Sequence, residues 1–69
     1  MFTVDTMEEL KELGKDTEYV LGEYSHLGTA KLVRVGTVRG EKVATFKLSD
    51  GFTPKMYEEG FRHGMVATA

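Results

Sequence analysis

Five cationic side chains, Lys31, Arg34, Arg39, Lys42 and Lys47, fall within residues 25–48 against one acid, Glu41. A basic stretch of that kind suits an anion, an acidic protein surface or a phosphate backbone. The flanks have the opposite sign: residues 1–24 hold seven acids and two bases, and residues 49–69 hold three acids and two bases. The chain as a whole carries −2 with a pI near 5.6, a balance that favours a protein partner over nucleic acid. The same lysines also discourage a hairpin from pairing edge to edge with other chains.

Other chemistry is sparse. There is no cysteine, so disulfides, thiolate catalysis and cysteine-bound zinc are excluded. His26 and His63 are the two imidazoles; Glu59 and His63 share a spacing that points both at one ion, but no third ligand accompanies them, and a zinc site takes three or four. Ser25 and His26 are sequence neighbours, a poor geometry for a nucleophile and its base. No phosphate-cradling glycine loop and no paired carboxylates appear. The reading is therefore a protein that is not an enzyme and takes no metal or cofactor. Tyr19, Tyr24 and Tyr57 offer flat faces for a core or an interface.

The elements that must hold the basic residues follow from local signals. Asp5 with Glu8, or Thr6 with Glu9, has capping-box spacing, and Met7, Leu10 and Leu13 make an apolar stripe that Gly14 ends. This predicts a short, acidic first helix. Residues 17–24 read as a strand. Residues 30–38 and 43–48 read as a hairpin around Arg39-Gly40-Glu41-Lys42, with Gly40-Glu41 in a type II′ turn. That register sends Val33, Val35 and Thr37 inward against Leu48, Phe46 and Ala44. It leaves Arg34 beside Lys47 on the outer face.

Thr53-Pro54 resembles a cap followed by a first-turn proline, and a 3.6-residue period gathers Met56, Tyr57, Gly60, Phe61, Gly64 and Met65 on one side. This predicts a second, longer amphipathic helix with Glu58–Arg62 and Glu59–His63 pairs on its exposed side. Gly60 and Gly64 each cost such a helix about 1 kcal/mol. Close backbone approach offsets that cost, either on the helix's own sheet or at a homodimer contact.

The expected fold is one small α+β domain over residues 1–69, in α-β-β-β-α order: a three-stranded antiparallel meander with two helices on one face. Its element order resembles the double-stranded-RNA-binding domain, and His26 falls in the first hairpin loop, where that family often has a histidine. The resemblance is one of topology. Where the family places a Lys-Lys-x-x-x-Lys-like phosphate clamp, this chain has Thr53-Pro54-Lys55-Met56-Tyr57-Glu58-Glu59, one lysine followed by two acids.

The function expected is a protein-interaction module, a small regulator or inhibitor of the phage-encoded type. It binds another macromolecule through the charged hairpin face (Lys31, Arg34, Arg39, Lys42, Lys47), the acidic first helix, or both. The alternative is nucleic-acid binding through the same cations. With no apolar run near the roughly 18 residues of a membrane helix and no signal-peptide pattern, the expected setting is the cytoplasm.

Overall fold

A computed structural model describes residues 2–69. Thr6 caps the first helix, α1 (Met7–Leu13), by accepting the Glu9 amide on its hydroxyl at 3.2 Å, and Gly14 ends it at φ 79°. Of the two caps the residues allow, Thr6 is the one observed, and Gly14 is the expected stop. Met7 and Leu10 are buried, as the apolar stripe requires.

Strand β1 (Glu18–Leu21) is shorter than the expected strand over 17–24, because the chain turns into a 3-10 segment at Gly22–Leu27. Strands β2 (Ala30–Val38) and β3 (Glu41–Leu48) form the hairpin, followed by β4 (Lys55–Tyr57), the one-turn helix α2 (Glu58–Phe61) and β5 (Val66–Thr68). All strands pair antiparallel in one sheet, ordered β4-β3-β2-β1-β5. Outside β5 the N-terminal segment adds a bridge, Thr3 to Ala67, and the Val4 amide donates to the Val66 carbonyl at 2.9 Å.

The three-stranded meander with two covering helices is therefore corrected to a five-stranded sheet. The expected second helix is the source of the difference. Its two mid-helix glycines remove about 2 kcal/mol of helix propensity. A helix there would also leave the outer edge of β3 without partners. Instead the Phe46 amide donates to the Pro54 carbonyl at 3.0 Å and the Leu48 amide to Phe52 at 2.8 Å, so the segment extends β3's ladder. The helical turn stops at Phe61, and Gly64 takes φ 73°, a left-handed conformation open to glycine at little cost. The β-branched Val66 and Thr68 then close the outer edge of β1. With α2 so short, Glu58–Arg62 and Glu59–His63 do not share a helix.

The hairpin register is also corrected. Arg39 and Gly40, both at positive φ (54° and 82°), form a type I′ two-residue turn, so Val38 pairs with Glu41 rather than Arg39 with Lys42. The ladder then shifts between Leu32 and Arg34, leaving Val33 as an extra, bulged residue. Ala30 and Leu32 differ in strand parity from Val35, so one face can take all three only if a residue is inserted between them. The bulge does this: Leu32 lies opposite Phe46, Val35 opposite Ala44, and Val33 is expelled to 38% exposure.

The core lies on the inner face. Tyr19, Leu21, Ala44, Phe46, Leu48, Met56 and Val66 from the strands meet Val4, Met7, Leu10 and Phe61. Tyr19 and Phe46 pack edge to face at 5.4 Å, and the Tyr19 hydroxyl donates to the Gly14 carbonyl at 2.7 Å, joining the end of α1 to the sheet. The chain exposes 4466 Å², near the roughly 4,300 Å² that surface scaling gives for a folded monomer of this mass.

Candidate interaction surface

The alternation that sends Ala44, Phe46 and Leu48 inward turns Val43, Thr45 and Lys47 outward, and the ladders extend each into a row across the strands. One row runs Glu18, Lys31, Lys47 across β1, β2 and β3. The next is Arg34, Thr45, Lys55, and a third is Gly36, Val43, Tyr57, both across β2, β3 and β4. Both helices pack on the other side. The outer face thus has a cationic end and an apolar end.

At the apolar end a glycine interrupts the row of side chains. Val43 is buried yet does not belong to the inner core. Opposite it Gly36 presents no side chain, and a Cβ built there would meet nothing within 4 Å. Tyr57, 40% exposed, ends the same row on β4, and Val33 and Val38 expose apolar surface along β2. At the cationic end Glu18, Thr29, Lys31, Lys47, Leu48 and Ser49 line an open groove of about 360 Å³.

The five predicted basic residues divide. Lys31, Arg34 and Lys47 share the outer face. The like-charge neighbour of Lys47 is Lys31, however, and Arg34 lies opposite Thr45, which corrects the Arg34–Lys47 pairing. Arg39 stands at the tip of the turn. Lys42, opposite Thr37, has the parity of the inner face and borders a second groove of about 330 Å³ with Glu41, Tyr57, Glu58, Glu59 and Arg62. That groove mixes three acids with two bases and has no single sign. Glu58 is already engaged there: its carboxylate accepts the Met7 amide at 2.8 Å, at the start of α1.

Lys55 and Tyr57 belong to the outer face and were placed on a helix by the sequence reading; their signal was Pro54, a residue as suited to an edge strand as to a first helical turn. Gly60 and Gly64 do not share a helix. A Cβ at Gly60 would meet only the Met65 side chain at 3.7 Å, an ordinary contact, and one at Gly64 would meet nothing within 4 Å. The acidic first helix packs on the inner side of the sheet, so it and the basic hairpin face are not one contiguous surface.

Burial raises the Tyr19 phenol above its ordinary 10.0, with the Thr17 hydroxyl offsetting part of the rise. Among the described residues no three His, Asp or Glu side chains gather as a metal-holding cluster, and no helix is long and apolar enough to cross a membrane. No family model, curated protein or solved structure matches this chain. The double-stranded-RNA-binding topology is removed by the fourth and fifth strands.

Proposed function

We propose that the chain is a non-enzymatic protein-interaction module of the cytoplasm, a small regulator or inhibitor that docks a protein partner on the outer face of its sheet. The observation that supports this most is the pairing on one face of the sheet of cations (Lys31, Arg34, Lys47, Lys55) with exposed apolar side chains (Val33, Val38, Tyr57) around Gly36. Protein interfaces combine an apolar, aromatic centre with a polar rim. A standard interface covers about 800 Å² per partner, roughly a fifth of this chain's 4466 Å². One face of the sheet is therefore the natural unit of contact.

The exposed apolar end favours protein over nucleic acid. Phosphate recognition needs cations along a path, and here they stop at Arg34 and Lys55, where Val43 and Tyr57 begin. The test compares the wild-type chain with a triple charge reversal, Lys31→Glu, Arg34→Glu and Lys47→Glu, in capture from lysate of the source cells, alongside RNA and DNA titrations at two salt concentrations. Folding of the variant is confirmed by its amide spectrum. A protein retained by the wild type and lost by the variant is the expected result. Steep salt-dependent binding of RNA or DNA would overturn the reading in favour of the nucleic-acid alternative.

A further inference from the structure

The outer face ends at an open sheet edge, and its geometry states what fits there. β1 pairs with β2 only at Lys31 and Ala30, whereas β2 continues to Val38. Phe46 and Leu48 direct their amides to the β4 side, so Val43 and Thr45 bond toward β2, and their partners there are Gly36 and Arg34. Val35 and Thr37 therefore aim their N–H and C=O groups away from β3. Among the described residues, neither joins a backbone hydrogen bond outside the β2–β3 ladder. The open stretch, residues 33–38, is about 20 Å long at strand rise.

Resting on the proposed docking of a protein to this face, we propose that the partner enters by strand addition: an extended acidic segment pairs antiparallel with the β2 edge at Val35 and Thr37. An added strand places alternate side chains on the outer face, directly opposite Val38, Gly36 and Arg34 in its own chain order. The residue opposite Gly36 fills the space that glycine leaves beside Val43 and is aromatic or a large aliphatic. The residue opposite Arg34 meets a guanidinium, with Lys47 and the Glu18-paired Lys31 beyond it, and is Asp or Glu. Opposite Val38, an apolar residue fits. The occupant thus reads apolar-x-aromatic-x-acid, with further acid beyond.

Charge separates this occupant from a second copy of the chain. Two β2 edges paired antiparallel about Gly36 would set glycine opposite glycine and Arg34 opposite Val38, bringing together edges that each carry Lys31, Arg34 and Arg39, with Glu41 the one acid of the hairpin. An acidic strand meets the same cations favourably. The bulge at Val33 and the lysines keep the edge from accepting strands indiscriminately, so selection falls on charge.

The probe is a capped peptide, Val-Thr-Phe-Thr-Glu-Ser-Glu, titrated into the intact chain and followed by backbone amide shifts and hydrogen exchange. Expected are saturable binding, new protection at the Val35 and Thr37 amides, and affinity about tenfold weaker when the two Glu are changed to Lys or when the chain carries Arg34→Glu. N-methylation of the two Thr, whose amides face the edge, abolishes binding, whereas N-methylation of Phe leaves it intact. Binding that survives methylation of the Thr residues and shifts Lys31, Arg34 and Lys47 without protecting Val35 and Thr37 overturns strand addition while leaving the charged-face reading in place. Protection of those amides by self-association, with peptide not competing, overturns the acidic occupant in favour of a second copy. Absence of binding at millimolar peptide overturns the proposal, and the lysate comparison then stands alone as the test of the face.

Discussion

Along β3, Ala44, Phe46 and Leu48 point into a core closed by α1 and α2, while Val43, Thr45 and Lys47, one residue away in each case, point to the opposite face, where Val43 and Thr45 are also buried. On the inner face aromatic edges meet, and the Tyr19 hydroxyl finds a carbonyl. The outer face tolerates what a stability-driven arrangement avoids, namely Lys31 opposite Lys47 and a glycine left open beside Val43. Residues on one strand can thus differ in purpose by parity alone. The main core lies on one side of the sheet, and the groups proposed to meet a partner lie on the other.

That division is broken or sharpened by substitution. The largest effect falls inside: Phe46→Ala empties a fully buried position against Tyr19 and costs about 3–5 kcal/mol. That is most of what a domain of this size possesses, so urea unfolding should show a largely unfolded variant. A loss below about 1 kcal/mol would mean that the inner face is not the core.

Next is Tyr19→Phe, which removes the bond to Gly14 and costs about 1 kcal/mol at neutral pH. Its pH dependence has a definite sign. The phenol is raised in the folded state, so the protonated form is favoured there; the associated stability is complete below the ordinary 10.0 and declines as pH rises toward the folded value. The wild-type advantage over Tyr19→Phe should narrow above about pH 10, which melting at pH 7, 9 and 10.5 measures. A constant gap would contradict a buried phenol.

The smallest effect lies outside. Lys47→Glu replaces a like-charge cross-strand pair with an opposite one beside Lys31 and should stabilise the chain by a few tenths of a kcal/mol. The gain should fade in high salt. A destabilisation of 1 kcal/mol or more would place Lys47 in the stable half of the molecule.

Much of the inner face was legible because its signals are local. Thr6 and Glu9, the Met7-Leu10 stripe and Gly14 bound α1 without help from the rest of the chain. Arg34 and Lys47 were legible as outward-facing because hairpin alternation is local too; Lys31, of opposite parity to Arg34, joins them only through the bulge. The turn was misplaced because Gly40-Glu41 satisfies one turn type on its own, whereas the observed turn asks Arg39 to accept positive φ. That conformation is retained because the shifted ladder, with its bulge, buries Leu32 in place of Val33. The spacing of Leu32 and Val35, odd for one strand face, was the available sign of the bulge.

The C-terminal quarter was illegible for a different reason. β4, α2 and β5 are each three or four residues long, too short for a period to show, and each exists because another strand's edge needs a partner. Lys55 and Tyr57 were lost to the candidate surface with them. The open β2 edge was hidden by reading residues 17–24 as one strand; Gly22, where the chain leaves the sheet, marked the shorter length.

Amide hydrogen exchange along β2 in the free chain tests the central claim most directly. The account predicts slow exchange for Arg34, Gly36 and Val38, which bond to β3, and fast exchange for Val35 and Thr37, which face outward from the edge. Equal protection in the two sets would show the edge to be covered and would contradict the account.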